Sequence, residues 1–395
     1  MEDLLFWPDG TKLASASADQ TICLWDLTDI ANVPPPHTLC GHRDEVWRLA
    51  LLPDNKTLVS GSKDGSVRLW DASSIGRGRT YTWLPTPLRT WCFDTDSRSV
   101  FTVDRQGKVA RWHGIDFQQM QLLFEVDTNS VVSAFSPDLF SPDRRLLATA
   151  LPNGVVQVWD INSRALLKEF TAYTGIVFPI GFLSQATKLI ILHPDNGSLH
   201  EWDLAKGQEI QTWRGVANPS VERLSAVAFS PDERWCLMFS YQGANLLRDM
   251  ATGHETNPNL EIGTSESVAF SPDGRIFAAA SFSSIARLWE TATLQEVATL
   301  RRFLLGAHSV AFSPDGTRLA SSSTGPETIK LWSVESHQEV LTLESEQSRF
   351  VFSAFSPDGD VLGSLSMEGI LHLWRAPSWA EIEAAEKKLE SGQSP

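Results

Sequence analysis

An all-β array of four-stranded antiparallel units is what this sequence predicts, on two markers that recur in register. Nine times a short apolar strand ends in Trp-Asp or a worn version of it: Trp25-Asp26, Trp70-Asp71, Trp112-His113, Trp159-Asp160, Trp202-Asp203, Arg248-Asp249, Trp289-Glu290, Trp332-Ser333 and Trp374-Arg375. Successive copies lie 41 to 47 residues apart, a period that marks stacked supersecondary units. A turn keeps the same beat upstream of most tryptophans, best preserved as Phe229-Ser230-Pro231-Asp232, Phe270-Ser271-Pro272-Asp273-Gly274, Phe312-Ser313-Pro314-Asp315-Gly316 and Phe355-Ser356-Pro357-Asp358-Gly359. A chain of 395 residues would ordinarily suggest two or three domains, but a repeat array grows by adding units to one body.

The unit is clearest in its second copy, Gly41 to Asp71. Residues 46–52 are rich in strand formers, and Pro53-Asp54-Asn55 turns them back. Residues 57–62 make the next strand, Lys63-Asp64-Gly65 the next turn, and residues 66–70 the third strand, ending at Trp70. After Asp71 come another turn and a fourth, looser strand. A lone four-stranded meander cannot bury both faces, so neighbouring units must cover it.

Composition excludes several classes. The 48 acidic residues against 33 basic ones give a net charge of -15, which argues against general affinity for nucleic acid or an anionic membrane. Cys23, Cys40, Cys92 and Cys236 show no Cys-x-x-Cys spacing, so neither a zinc site nor a disulfide framework is indicated, and a reducing, cytoplasmic setting is expected. No run reaches the roughly 18 apolar residues of a membrane span. The chain has no Gly-x-Gly-x-x-Gly, Walker, Gly-x-Ser-x-Gly, His-Glu-x-x-His or kinase signature. His193, Asp195, His200 and Asp203 are close in sequence, but the period puts His193 and Asp195 at a turn and His200 in mid-strand. No catalytic residue, no metal and no cofactor are therefore expected.

From about Leu4 to Trp374 the two markers resemble the tryptophan-aspartate (WD40) repeat family, and the regular Phe-Ser-Pro-Asp-Gly turns resemble bacterial arrays of that family. The resemblance implies a WD40 β-propeller of four-stranded antiparallel blades over residues 1–376. It also implies a hydrogen-bonded tetrad inside each blade; His42, Ser60 (or Ser62), Asp64 and Trp70 match all four members, the only complete set. The turn Asp survives as Asp19 in unit one but is replaced by Gln106, Asn153, Asn196, Gln242, Ser283 and Glu368 elsewhere.

Family rings close by lending the N-terminal strand to the last blade. Residues 3–7 already belong to unit one and unit nine stops at Trp374, so no strand is spare for this. One ring of nine repeat units is expected. The alternative is a seven-bladed ring from units three to nine plus two leftover units, the chain being the C-terminal remnant of a longer protein. Residues 377–395 read as an amphipathic helix with a Ser378–Glu381 capping box, followed by a disordered tail. The Phe-Ser-Pro-Asp quartet appears twice between Phe135 and Asp143, a duplication tolerated at a loop tip.

Partners of such a propeller bind the face that carries the loops between second and third strands. With Lys63 as register mark, the period brings Ala18, Arg105, Pro152, Asp195, Tyr241, Phe282 and Met367 to matching positions. The residues six before the first-strand turn proline form an inner ring of Trp47, Arg89, Val131, Phe178, Ser225, Glu266, His308 and Val351. Lys63, Arg105 and Arg89 group as a basic side and Tyr241, Phe282 and Met367 as an apolar side, which suits a protein or peptide partner. The expected role is a non-catalytic interaction scaffold in signalling; a WD40-linked protein kinase that has lost its other part, a small-ligand sensor and a propeller enzyme are the alternatives.

Overall fold

Strand pairing in the computed structural model follows the sequence repeat. The structure describes residues 2–375 except 20, 29–35, 40, 41, 43, 53, 54, 56, 64, 66, 73–80, 84–86, 114–118, 128–138, 195, 196, 214–223, 241, 242, 259, 261, 302–305, 324–328 and 344–348. The amphipathic helix expected over 377–395 lies outside the described residues, among which there is no helix. Among the described residues the strands form nine antiparallel sheets, seven of four strands and two of three. Unit three is typical: Leu88–Phe93, Ser99–Asp104, Lys108–His113 and Gln119–Glu125 pair in sequence order. The fold is all-β and β-propeller-like.

Ser-Pro-Asp turns hold the first hairpin of units four, six, seven, eight and nine. Ser271 Oγ donates to Asp273 Oδ1 at 2.6 Å and accepts the Ile276 N–H at 3.1 Å; Ser313 with Asp315 and Arg318, and Ser356 with Asp358 and Val361, do the same. The serine hydroxyl is the main reason that the Asp232, Asp273 and Asp315 carboxyls sit below the usual range. Of the duplicated quartet, the second copy makes this turn, with Ser141 Oγ on Asp143 and under the Leu146 N–H; residues 135–138 lie outside the described residues.

Apolar clusters between sheets show which units are neighbours. Cys92, Phe101 and Val109 of unit three pack on Phe140 and Leu147 of unit four, and unit four packs on five through Val156, Val158, Leu189 and Trp202. Equivalent clusters join five to six, six to seven, seven to eight and eight to nine. Unit nine then packs on unit three, where Leu88, Trp91, Phe93 and Val100 meet Val361, Leu365, Leu371 and Leu373. Polar bonds mark the same join: Leu88 N–H to Gly369 O, and Asp358 N–H to Ser97 Oγ at 3.0 Å. Units one and two have a cluster of their own, from Trp7, Ile22 and Leu24 to Val46 and Leu58.

Two expectations are corrected here. Among the described residues the apolar clusters do not run through nine sheets in one cycle, since unit nine packs on unit three. A spare strand also exists for unit nine. Tyr81–Trp83, between units two and three, pairs antiparallel with Leu371–Arg375, with His372 opposite Thr82 and Leu371 opposite Trp83. Its weak sequence pattern hid it: three strand-forming residues behind a Gly/Arg-rich stretch read as the loose outer strand of unit two.

The tryptophan-to-hydroxyl link of the tetrad outlives the rest of it. In unit two His42 Nε2 and Ser60 Oγ are 2.6 Å apart and Trp70 Nε1 donates to Ser60 Oγ at 2.7 Å, while Asp64 lies outside the described residues. Ser62 instead donates to Asp44 O. Trp25 to Ser15, Trp112 to Thr102, Trp159 to Thr149 and Trp332 to Ser321 repeat the link without a full set. Trp202 Nε1 has no partner, because the residue facing it by the same ten-residue offset is Leu192. In unit six Arg248 fills the tryptophan's place, buried, paired with Glu255 and 5.8 Å over the Trp213 ring.

Candidate protein-interaction face

The inner-ring positions coincide with a backbone irregularity. In six first strands the pairing register skips one residue, at Trp47, Arg89, Ser225, Glu266, His308 and Val351. A bulged residue is left out of the ladder and its side chain is re-aimed toward the sheet's end. Unit five departs from this because Pro179 shifts the skip to Ile180. Phe178 is consequently half-buried against the cluster between units five and six, so it supports the core rather than the face.

Four sheets bring their ends together on this side. Glu266 is the hub: Arg349 Nη2 lies 2.5 and 2.7 Å from its two carboxylate oxygens, and His308 Nδ1 lies 2.6 Å from Oε2. Arg349 also covers the Phe282 ring at 5.3 Å, and Phe282 meets His308 edge-on at 5.3 Å. The path continues through backbone groups. Met367 N–H donates to Arg349 O, Arg105 Nη2 reaches Met367 O at 3.4 Å, and Arg89 Nη2 reaches Arg105 O at 3.3 Å. Units seven, eight, nine and three are thus pinned at one rim. Phe282 and Met367 remain 42% and 52% exposed, and Arg105 is exposed with no ion pair among the described residues. Aromatic, Met and Arg side chains on a rigid support have the composition of an interface core.

Not every expected member joins. Lys63 pairs with Glu45 at 3.1 Å and Asp44 at 3.8 Å, and Trp47 Nε1 donates to Glu45; both belong to unit two, outside the cycle of contacts, so Lys63 does not group with Arg105 and Arg89. His308 is buried and serves as a brace, with 3% exposure. Asp195 and Tyr241 lie outside the described residues. Arg349 was not visible in the pattern, since it precedes its strand and falls two residues before the Val351 register mark. His200, in the group that invited a metal reading, is engaged by Ser198, Tyr173 and Glu209 instead.

Burial opposes ionisation of Glu266, but hydrogen bonds from His308 and Arg349 outweigh it and hold its carboxyl below the usual range. A lowered folded-state value means that the stabilisation is complete above the unfolded value of about 4.3 and is lost as pH falls through the folded one. Glu266→Gln is expected to be less stable than the parent at neutral pH, with the gap closing on acidification below about pH 4.3. Denaturant midpoints across that window check this, and a constant gap refutes it.

Comparison with known proteins agrees with the geometry. The family model for the WD domain, G-beta repeat, matches residues 2–26, 34–71, 248–290 and 299–333. The four matched segments are WD40 repeats. It is 26% identical over 193 residues to periodic tryptophan protein 2 of Arabidopsis thaliana, covering 47% of this chain and 20% of that protein. It is 26% identical over 217 residues to pre-mRNA-processing factor 19 homolog 2 of the same plant, covering 55% and 32%. WD repeat and SOCS box-containing protein 1 of Homo sapiens matches at 31% over 94 residues, 24% of this chain and 21% of that one. The chain thus spans a third or less of the length of these relatives. All three are eukaryotic, so the likeness to bacterial arrays gains no support from them.

Proposed function

We propose that this chain is a non-catalytic protein-interaction scaffold, that units three to nine form a closed seven-bladed propeller, and that partners dock on the rim where units seven, eight, nine and three meet. The observation that carries the site is the convergence there of exposed Phe282, Met367 and Arg105 on a base locked by Glu266, Arg349 and His308. The closing pair between Tyr81–Trp83 and Leu371–Arg375 supports the seven-bladed ring, and it makes the rim rigid, which lowers the ordering cost of binding. The four cysteines, which show no Cys-x-x-Cys spacing, and the acidic charge support a cytoplasmic place of action.

Arg105→Glu and the double variant Phe282→Ala/Met367→Ala test the site by quantitative affinity capture. Both are expected to lose the same set of specific partners at least about tenfold, as hot-spot removal does, with circular dichroism unchanged. An unaltered set of captured proteins would refute the assignment.

A further inference from the structure

Among the described residues, unit two shows no outer strand. Its sheet stops at Val67–Asp71, and among the described residues nothing pairs with that edge. The next strand in sequence, Tyr81–Trp83, is paired with unit nine.

The other units show what such an edge receives. Their outer strands share a pattern: Glu209-Ile210-Gln211-Thr212-Trp213, Glu296-Val297-Ala298-Thr299-Leu300 and Glu339-Val340-Leu341-Thr342-Leu343. In each, the Glu lies opposite the marker Trp, the Thr opposite the residue two before it, and the Trp or Leu opposite the residue three before it. The residue two before the Trp is a base, His200, Arg287 or Lys330, and the Glu engages it: His200 at 3.0 Å, Arg287 at 3.4 Å and Lys330 at 3.3 Å.

In unit two the base is Arg68, which makes no ion pair among the described residues. Its Nε is buried without a hydrogen-bond partner, but so is that of Arg287 in unit seven, so the open edge shows instead in the residue three before the Trp. Ile22, Val109, Val156, Leu199, Ala286, Ile329 and Leu371 are all 0% exposed, whereas Val67 is 72% exposed. The closing strand is a poor match for this place: its Thr82 and Trp83 keep the spacing, but Arg79 stands where the others carry Glu, and would face Arg68 with like charge.

We propose that the Val67–Asp71 edge binds an extended segment of a partner protein as a fourth antiparallel strand, with an acidic-x-x-Thr-apolar pattern whose acid pairs with Arg68 and whose apolar residue covers Val67. Backbone pairing supplies affinity and the alternate side chains supply selectivity. This surface is separate from the propeller rim.

The probe is a fluorescein-labelled peptide with the sequence of residues 336–345, added to the full chain and followed by anisotropy and hydrogen exchange. Saturable binding is expected, with slowed exchange in residues 67–71. Arg68→Glu in the protein, or Glu339→Arg in the peptide, weakens binding at least tenfold, and the two changes together restore it. The absence of saturable binding, equal binding by Arg68→Glu, or protection at residues 329–333 instead overturns the proposal, the last because the peptide would then be displacing a resident strand. So does a dimer in sedimentation that excludes the peptide, which would give the edge to a second copy. Because the exchange experiment uses the unaltered chain, the proposal stays testable if Arg68→Glu fails to fold.

Discussion

Trp91→Ala is expected to lower the free energy of unfolding by about 3–5 kcal/mol, the range for emptying a fully buried Trp site. Trp91 is 0% exposed and meets Phe93 at 5.2 Å and Phe352 of unit nine at 5.5 Å between ring centres. Its ring fills the space left by Gly363, where a Cβ would come within 2.2 Å of Trp91 Cη2. The residue therefore belongs to the join between units three and nine, and a cavity there loosens the closure as well as the core. Gly363→Val should be destabilising for the opposite reason, since a side chain and the indole cannot share that space. Trp91→Phe should cost much less than Trp91→Ala, because Trp91 Nε1 has no hydrogen-bond partner to lose. Urea unfolding of the three variants, with exchange of the 371–375 amides as a second readout, checks these claims. A loss below about 1 kcal/mol for Trp91→Ala, within the range of surface substitutions and small repackings, would falsify a closed contact between these units.

The repeat was legible because it rests on local chemistry. Apolar alternation, Ser-Pro-Asp turns and terminal tryptophans each act within one hairpin, so the sequence exposes them directly. The join of units three and nine was not, because it depends on which distant sheet accepts a three-residue strand, and Tyr81–Trp83 carries no local sign of choosing unit nine. The inner-ring positions were legible for a related reason. Counting back from the turn proline lands on the bulged residue wherever the strand is regular, and it fails at Phe178, where Pro179 moves the bulge. Arg349 was hidden because it acts from outside its strand, through Glu266 of a sheet 83 residues earlier in the chain.

The shared outer-strand pattern leads to the second large effect. Lys330 and Glu339 are buried to 2% and 3% side-chain exposure, with Lys330 Nζ 3.2 Å from Thr342 Oγ1 as well. Glu339→Ala removes the carboxylate paired with a buried ammonium, at an expected cost of about 3–5 kcal/mol. Replacing both partners, as Lys330→Met with Glu339→Leu, should recover most of that loss, since two desolvation penalties disappear along with the attraction. The equivalent pair in unit seven, Arg287 with Glu296, is 18% and 42% exposed, and Glu296→Ala should cost no more than about 1 kcal/mol because water screens the same geometry. Unfolding midpoints of the three variants separate burial from motif. If Glu296→Ala and Glu339→Ala cost the same, the pattern acts through its hydrogen bonds alone, and solvent exclusion is not what makes unit eight depend on its pair.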